Sequence, residues 1–596
     1  MNIEKPVVAK PVDLEWGSDY LAEVIRRLDL RYLSINPGAS LRGLHDSLVN
    51  YLGNENPQML LCLHEDHAVS IAHGYAKVTG KPMGVVVHAN VGLMHASMGI
   101  FNAWCDRAPM VVIGATGPLD AAARRPWIDW IHTSRDQGAL VRNFIKWDDQ
   151  PASLPAAAEA MIRGALIANT VPKGPVYICL DAALQEARID GSASIPEPDD
   201  FSGPATPYPD PASVRRIAER LSESKKPVIL AGRVSRAEDA WQKRVRLAER
   251  LGATVMTDLK QPAAFPTDHP YHPVPPAFFM GEEGCTVLRE ADIVLSLDWI
   301  DLGGTLKIAA KNGRLGAGII QCSPDQYAHN GWSMDYQSLA PTDVHLLCDP
   351  DALVDALLAL DDKERIFDRC ERAPVRPAHA RAPAPDDGAP LTLQTLARSL
   401  REATEHLEVS LLRTPLGWPG DAWHFRHPLD FLGKDGGAGL GSGPGMAVGG
   451  ALALQGMGRL PLAVIGDGDF MMGVSAVWTA ARYRIPLLFV VANNTAYFND
   501  ELHQEKVART RNRPIENKAV GQHIGDPDID IAGMARCQGG VGHGPVRTVG
   551  ELRAAMKQAI AEVQAGRVCV VDARVVPGYD SLTAKGLLRE VKQAEH

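Results

Sequence analysis

At 596 residues the chain is long enough for about three domains. Its make-up, 45% hydrophobic and 22% charged with a net charge of −10, is that of an ordinary globular protein and argues against general nucleic-acid or membrane-surface binding. No apolar run spans a bilayer, the opening MNIEKPVVAKPVDLEW has no signal-peptide core, and nine scattered cysteines without a CxxC favour reduced thiols, so a cytoplasmic protein is expected.

From the N-terminus, residues 20–28 carry a helical pattern and residues 32–35 a strand that runs into the turn Asn36-Pro37-Gly38. The pattern predicts a helix over 68–78 and strands over 84–88, 110–114 and 175–180. A polar, Pro-rich junction near 190–210 closes a first domain, 1–190. Apolar runs at 227–231, 253–256 and 293–296 predict strands of a second domain, 205–370, in a parallel sheet covered on both faces. Residues 371–390 are rich in Pro and Ala and predict a semi-extended linker. The third domain is 391–596 and includes a C-terminal tail. The fold class expected is α/β, with three doubly wound parallel-sheet domains.

The third domain holds the most informative stretch, LAVIGDGDFMMGVSAVWTAARYRIPLLFVVANNTAY, residues 462–497. It predicts a strand over 462–465, the tight turn Gly466-Asp467-Gly468, a helix over 470–484 capped by Asp469 and stopped by Pro486, and a strand over 487–492 that ends at Asn493-Asn494. A right-handed βαβ crossover puts both strands in one parallel sheet. Asp467 and Asn494 then lie beyond the carboxyl ends of neighbouring strands, where open α/β sheets bind ligands. One carboxylate and one amide oxygen suit Mg²⁺, which takes few protein ligands beside phosphate oxygens. Free N–H groups at the helix start suit a phosphate. The unit reads as a Mg²⁺–diphosphate site once the spaced Asn493-Asn494 is counted, whereas the Gly-rich turn alone reads first as a structural βαβ.

GDG followed by NN resembles the thiamine diphosphate (ThDP) signature of the decarboxylase and acetohydroxyacid synthase family. The order of domains resembles that family's pyrimidine-binding, central and diphosphate-binding domains over nearly the whole chain. The resemblance implies that Asp467, Asn494 and the Ala496 carbonyl hold Mg²⁺, with Gly466, Gly468, Asp469, Asn493 and Tyr497 around the cofactor. One departure is Asp469, where many relatives carry Ser. Its carboxylate would be repelled by phosphate, so only its backbone N–H is expected to donate. LHEDHAVSIAHGYA, residues 63–76, resembles the family's Glu-bearing strand end and the helix after it. That makes Glu65 the catalytic glutamate, which hydrogen-bonds the cofactor's pyrimidine ring and so promotes loss of the thiazolium C2 proton. Taken alone, a Glu at a helix start reads first as a solvated residue stabilised by the dipole. In the family these two domains meet across a dimer interface. The resemblance therefore implies a homodimer or homotetramer in which Glu65 of one chain serves the cofactor held by the other. GGAGLGSGPG, residues 436–445, resembles the loop that grips the aminopyrimidine, with Leu440 bending the cofactor and the Ala438 carbonyl accepting from its amine. Thr414 is a candidate hydroxyl for the diphosphate, by offset.

Over the thiazolium the chain looks most like benzoylformate decarboxylase. Asn36, Pro37 and Gly38 match its early turn, and His88 its active-site histidine, an imidazole able to hand on a proton. The plain alternative for His88 is a hydrogen-bonded residue at a strand end. Two departures stand out. The early serine falls on Ala39, with Ser40 adjacent, and the second histidine, from the central domain, has no match in SLDWID at 296–301. The run HANVGL at 88–93 also lacks the Gly-Pro-Gly of acetohydroxyacid synthases. RRPWIDWIH at 124–132 either binds an anionic or aromatic substrate or packs at the dimer interface, and 497–518 is either a lid or a solvated loop. The implied activity is decarboxylation of a small-molecule 2-oxo acid, with release or carboligation of the aldehyde unit. The rivals are a 2-hydroxyacyl-CoA lyase, acting on a 2-hydroxyacyl substrate, and a non-catalytic ThDP-binding protein. No nucleic-acid or membrane partner is expected. FAD is undecided with its absence favoured, since GRVSR at 232–236 lacks G-x-G-x-x-G.

Overall fold

The computed structural model describes residues 4–7, 13–189, 194–311, 313–325, 338–368 and 385–587. Most of the expected linker, 371–384, and the tail from 588 lie outside the described residues.

Three parallel sheets follow one another along the chain. The first contains β1 (Tyr32–Ile35), β2 (Gln58–Leu61), β3 (Met83–Val87), β4 (Met110–Thr116), β5 (Trp147–Asp149) and β6 (Pro175–Asp181), in the order β2-β1-β3-β4-β6-β5. The second contains β7 (Pro227–Ala231), β8 (Thr254–Met256), β9 (Ile293–Leu297), β10 (Gly318–Ser323) and β11 (Val344–Leu347), in the order β11-β10-β9-β7-β8. The third contains β12 (Val409–Arg413), β13 (Leu460–Gly466), β14 (Leu487–Asn493), β15 (Val541–Val546) and β16 (Val568–Arg574), in the order β12-β13-β14-β16-β15. Every residue of β1, β3, β4, β6, β7, β9 and β14 is buried. Helices cover both faces of such strands, which is why they read as unbroken apolar runs.

The helix expected over 470–484 is two helices. One runs Asp467–Met472 and the other Ala476–Tyr483. The break is at Gly473, where a Cβ would lie 2.3 Å from the Gly441 carbonyl oxygen and 2.8 Å from the Pro444 ring. Asp469 therefore sits inside the first helix. Its carboxylate caps a different one, Ser442–Ala453, by accepting from the N–H groups of Gly441 (2.8 Å) and Gly443 (3.3 Å).

The first and third domains share one hydrophobic core. It joins Leu60, Val69, Ala72 and Tyr75 to Ala447, Val448, Phe470 and Tyr483. At its centre the helix Glu65–Thr79 crosses the helix Ser442–Ala453 almost backbone to backbone. A Cβ on Gly74 would fall 2.0 Å from the Met446 carbonyl oxygen, and one on Gly449 1.9 Å from that of Ile71. Polar ties reinforce the crossing: the Ser442 hydroxyl donates to Asp66 at 3.2 Å, and the Tyr483 hydroxyl accepts the Leu61 N–H at 2.8 Å. Among the described residues no cysteine forms a disulfide. Among the described residues no helix is long and apolar enough to cross a membrane.

Candidate active site

Two groups of site residues form, in different domains. The first group stands at the carboxyl ends of the adjacent strands β2, β1 and β3. Past β2, His64 caps the helix Glu65–Thr79, its Nδ1 accepting from the Asp66 N–H at 3.1 Å. This fixes Glu65 as the first helical residue, 6% exposed. Its Oε2 lies 3.1 Å from His95 Nδ1. Past β1, the turn Asn36-Pro37-Gly38 lies flat on the imidazole that follows β3. A Cβ on Gly38 would fall 2.0 Å from His88 Cγ, so only glycine lets the turn approach. His88 Nδ1 is 2.8 Å from the Ser40 hydroxyl, and its Nε2 is 3.2 Å from His132 Nδ1. Burial lowers the pKa of His88, and the neighbouring His132 adds to the effect against the pull of Glu65.

The second group surrounds a cavity of about 380 Å³ at the carboxyl ends of β12, β13 and β14. Thr414, Ala438, Leu440, Gly466, Asp467, Gly468, Asp469, Asn494, Ala496 and Tyr497 all line it. Asp467 and Asn494 come together because β13 and β14 pair in register through Gly466 and Ala492, so both turns leave the sheet side by side. Asp467 is 4% exposed, and its Oδ2 meets no hydrogen-bond partner among the described residues. Burial pushes its pKa up to about 6, against the pull of the N–H groups of Gly468, Thr495 and Ala496. A buried, unpartnered carboxylate oxygen beside an amide oxygen fits a hard divalent cation. Tyr497 packs over the turn, where a Cβ on Gly468 would lie 2.8 Å from its ring. Ala438 takes a φ of 52°, the left-handed region that favours glycine.

Asn493 lies behind the cavity. Its amide donates to Asp572 at 2.9 Å and its carbonyl accepts the Thr495 N–H at 3.1 Å, so it shapes the turn that presents Asn494. Asp469 lines the cavity, but its carboxylate is already engaged. Besides capping Ser442–Ala453 it pairs with Arg413 at 2.8 Å, which neutralises it. Arg413 itself lies between Asp469 and Asp435, and these two carboxylates hold its pKa above the usual value despite burial. Glu65 and His88 do not line this cavity.

Sequence reasoning missed several residues here. Arg413 and Lys434 line the cavity, as do Phe498 and Tyr579, whose rings sit 5.1 Å apart. Burial pushes the Tyr579 phenol up to about 12. Arg413 was open to discovery as a cation at a strand end beside Thr414. Nothing local marks Tyr579, which reaches the site from beyond β16. A second cavity, about 560 Å³, opens between the first and central domains, with Lys77, Arg107, Lys173, Arg233 and Asp298 on its walls.

Comparison with known proteins identifies the three domains. Residues 15–140 match the thiamine pyrophosphate enzyme N-terminal TPP binding domain, 214–357 the central domain and 416–573 the C-terminal TPP binding domain. The chain is 28% identical over 509 residues to benzoylformate decarboxylase of Pseudomonas aeruginosa, covering 80% of this chain and 85% of that protein. It is 22% identical over 565 residues to the mitochondrial acetolactate synthase catalytic subunit of Aspergillus candidus, covering 88% of this chain and 76% of that one. Its fold is similar to that of the thiamine diphosphate-dependent 4-hydroxybenzoylformate decarboxylase of Rhodococcus jostii RHA1, with a TM-score of 0.75 at 21% identity over 95% of this chain and 99% of the other. Three domains matched in order, over most of the chain, make it a member of the thiamine pyrophosphate enzyme family.

Proposed function

We propose that the protein is a ThDP- and Mg²⁺-dependent enzyme that decarboxylates a 2-oxo acid and either releases the aldehyde unit or joins it to a second carbonyl. The observation that carries this reading is the unpartnered buried carboxylate of Asp467 beside Asn494 at the 380 Å³ cavity. Asp467, Asn494 and the Ala496 carbonyl would hold Mg²⁺, and the Thr414 hydroxyl with the turn N–H groups would orient the diphosphate. Leu440 and the Ala438 carbonyl would hold the aminopyrimidine. ThDP, when bound, supplies an electron sink beside the carbonyl that loses carbon dioxide. Glu65 would share a proton with the pyrimidine ring nitrogen, and its burial keeps water from competing for that bond.

Glu65 and His88 stand apart from the cavity, which supports a site completed by a second chain. Apolar side chains flank both groups and are exposed in the single chain: Leu63 and Met94 near Glu65, Leu440 and Met472 near the metal turn. Covering them is what a homodimer, or a homotetramer built from it, would do.

The test is carbon dioxide release from pyruvate, branched-chain and aryl 2-oxo acids by wild type, Glu65→Gln and Asp467→Asn. Wild type is expected to turn over one class only when ThDP and Mg²⁺ are both present. Glu65→Gln should fall by about 10²–10⁴-fold while still binding cofactor. Asp467→Asn should lose the thermal stabilisation that ThDP with Mg²⁺ gives. No release from any class would refute the 2-oxo acid reading.

A further inference from the structure

Both ring nitrogens of His88 are already engaged. On one side Nδ1 faces the Ser40 hydroxyl at 2.8 Å and the Ser40 backbone N–H at 3.5 Å. A backbone N–H only donates, so Nδ1 is the acceptor and neutral His88 carries its proton on Nε2. That Nε2–H points to His132 Nδ1 at 3.2 Å, the rings meeting edge to face with centroids 4.8 Å apart. His132 then carries its own proton on Nε2, for which the described residues provide no hydrogen-bond partner. No nitrogen of His88 is left for a substrate, and the first one available is on His132.

The segment that carries His132 is built to hold it there. Trp127 takes a φ of 68°, a strained conformation for a bulky residue that persists only where its surroundings enforce it. Next to it, buried Asp129 accepts from the Arg125 guanidinium at 2.9 Å and, through its carbonyl, from the Thr133 hydroxyl. The Asn90 amide, two residues past His88, donates to the Ile131 carbonyl at 3.0 Å, so the segment and the imidazole are tied to the same helix start. In the described run after β9 the residue that leaves the strand is Asp298, bound to Arg107 (2.8 Å) and to Ser323 (2.7 Å).

We propose that His88 and His132 act as one proton-carrying pair, in which His132 delivers the proton and His88, anchored by Ser40, sets the tautomer and position of His132. The proposal rests on the decarboxylase–carboligase reading above. In the step assigned to the pair, the extra proton enters on His88 Nδ1, facing the Ser40 hydroxyl. The Nε2–H bond of His132 breaks, a C–H bond forms at the carbon that has lost carbon dioxide, and the Nε2 proton of His88 passes to His132 Nδ1. The pair gives up one positive charge and regains its proton from water. Among the described residues, the titratable groups facing His88 are Glu65, on the helix beside it, and His132.

The test compares His132→Gln and His132→Phe with wild type on whichever of pyruvate, 3-methyl-2-oxobutanoate and benzoylformate wild type decarboxylates fastest. Thermal stabilisation by ThDP with Mg²⁺ and the first-turnover burst of carbon dioxide are expected to stay within about twofold of wild type. Aldehyde release is expected to fall by at least ~10-fold, the size of effect general acid catalysis supplies. The imidazole limb of its pH profile should vanish and added imidazole should restore part of the rate. With acetaldehyde as acceptor, the hydroxyketone share of product should rise. Aldehyde release and a pH profile unchanged in both variants overturn the proposal. Joint loss of the burst and of cofactor binding in both variants also overturns it, by making His132 structural. A wild type that releases no carbon dioxide from any of the three overturns the decarboxylase reading and takes the pair's role with it.

Discussion

At the scale of single residues, His67 shows what the seam between the first and third domains demands. It is 3% exposed, and its Nδ1 lies 3.1 Å from the Ser475 hydroxyl of the third domain. Burial lowers its pKa to about 4, so the folded protein keeps it neutral where an unfolded chain with the ordinary value of 6.5 takes up a proton. The unfolded state binds more protons between those values, so stability falls as pH drops from 6.5 to 4, by ~3 kcal/mol at the limit. Urea unfolding at pH 7 and pH 5 should show a steeper acid loss in wild type than in His67→Gln. Equal slopes would mean that His67 does not carry the effect. The residues legible from sequence were those whose spacing to a strand end is local: Asp467, Asn494 and Glu65 stand where their turns put them. His132 lay inside a stretch singled out for its aromatics and charge. Its partner His88 is on another element, though, and a pairing between elements leaves no periodic trace.

At the scale of elements, the crossing of Glu65–Thr79 over Ser442–Ala453 depends on glycines at the contact. Gly74→Ala places a methyl 2.0 Å from the Met446 carbonyl oxygen, within a helix pair that has no room to separate. Overpacking of this kind costs about 1–3 kcal/mol, and here falls at the upper end because the obstacle is backbone. A downward shift of the denaturation midpoint would show it. A midpoint within error of wild type would mean that the helices slide apart freely. Strand positions were read well from the sequence because buried parallel strands are unbroken apolar runs: 32–35 and 227–231 match β1 and β7 residue for residue. The helix expected over 470–484 failed for a reason local pattern does not hold. Gly441, which forces the break at Gly473, is more than a turn of helix away in sequence and arrives through the tertiary packing of another segment.

At the scale of the whole molecule, each chain carries the Glu65 group and the Asp467–Asn494 turn at separate places, and this makes a mixing experiment decisive. Glu65→Gln and Asp467→Asn are each expected to be inactive alone. If the site is shared between two chains, mixed dimers contain one site with both wild-type halves, and a random mixture recovers about a quarter of wild-type activity. No recovery after demonstrated subunit exchange would place a complete site in each chain. The domain order was legible because each sheet repeats the same apolar pattern, whereas the shared core of the first and third domains was not, since it joins residues some four hundred positions apart. The segment bearing His132 also has an optical consequence. Trp127 and Trp130 are 68% and 65% exposed in the single chain. Indoles so open to water emit at long wavelength and are readily quenched by acrylamide, so the fluorescence of this segment is an unlabelled gauge of whether a second chain or a ligand has closed over it.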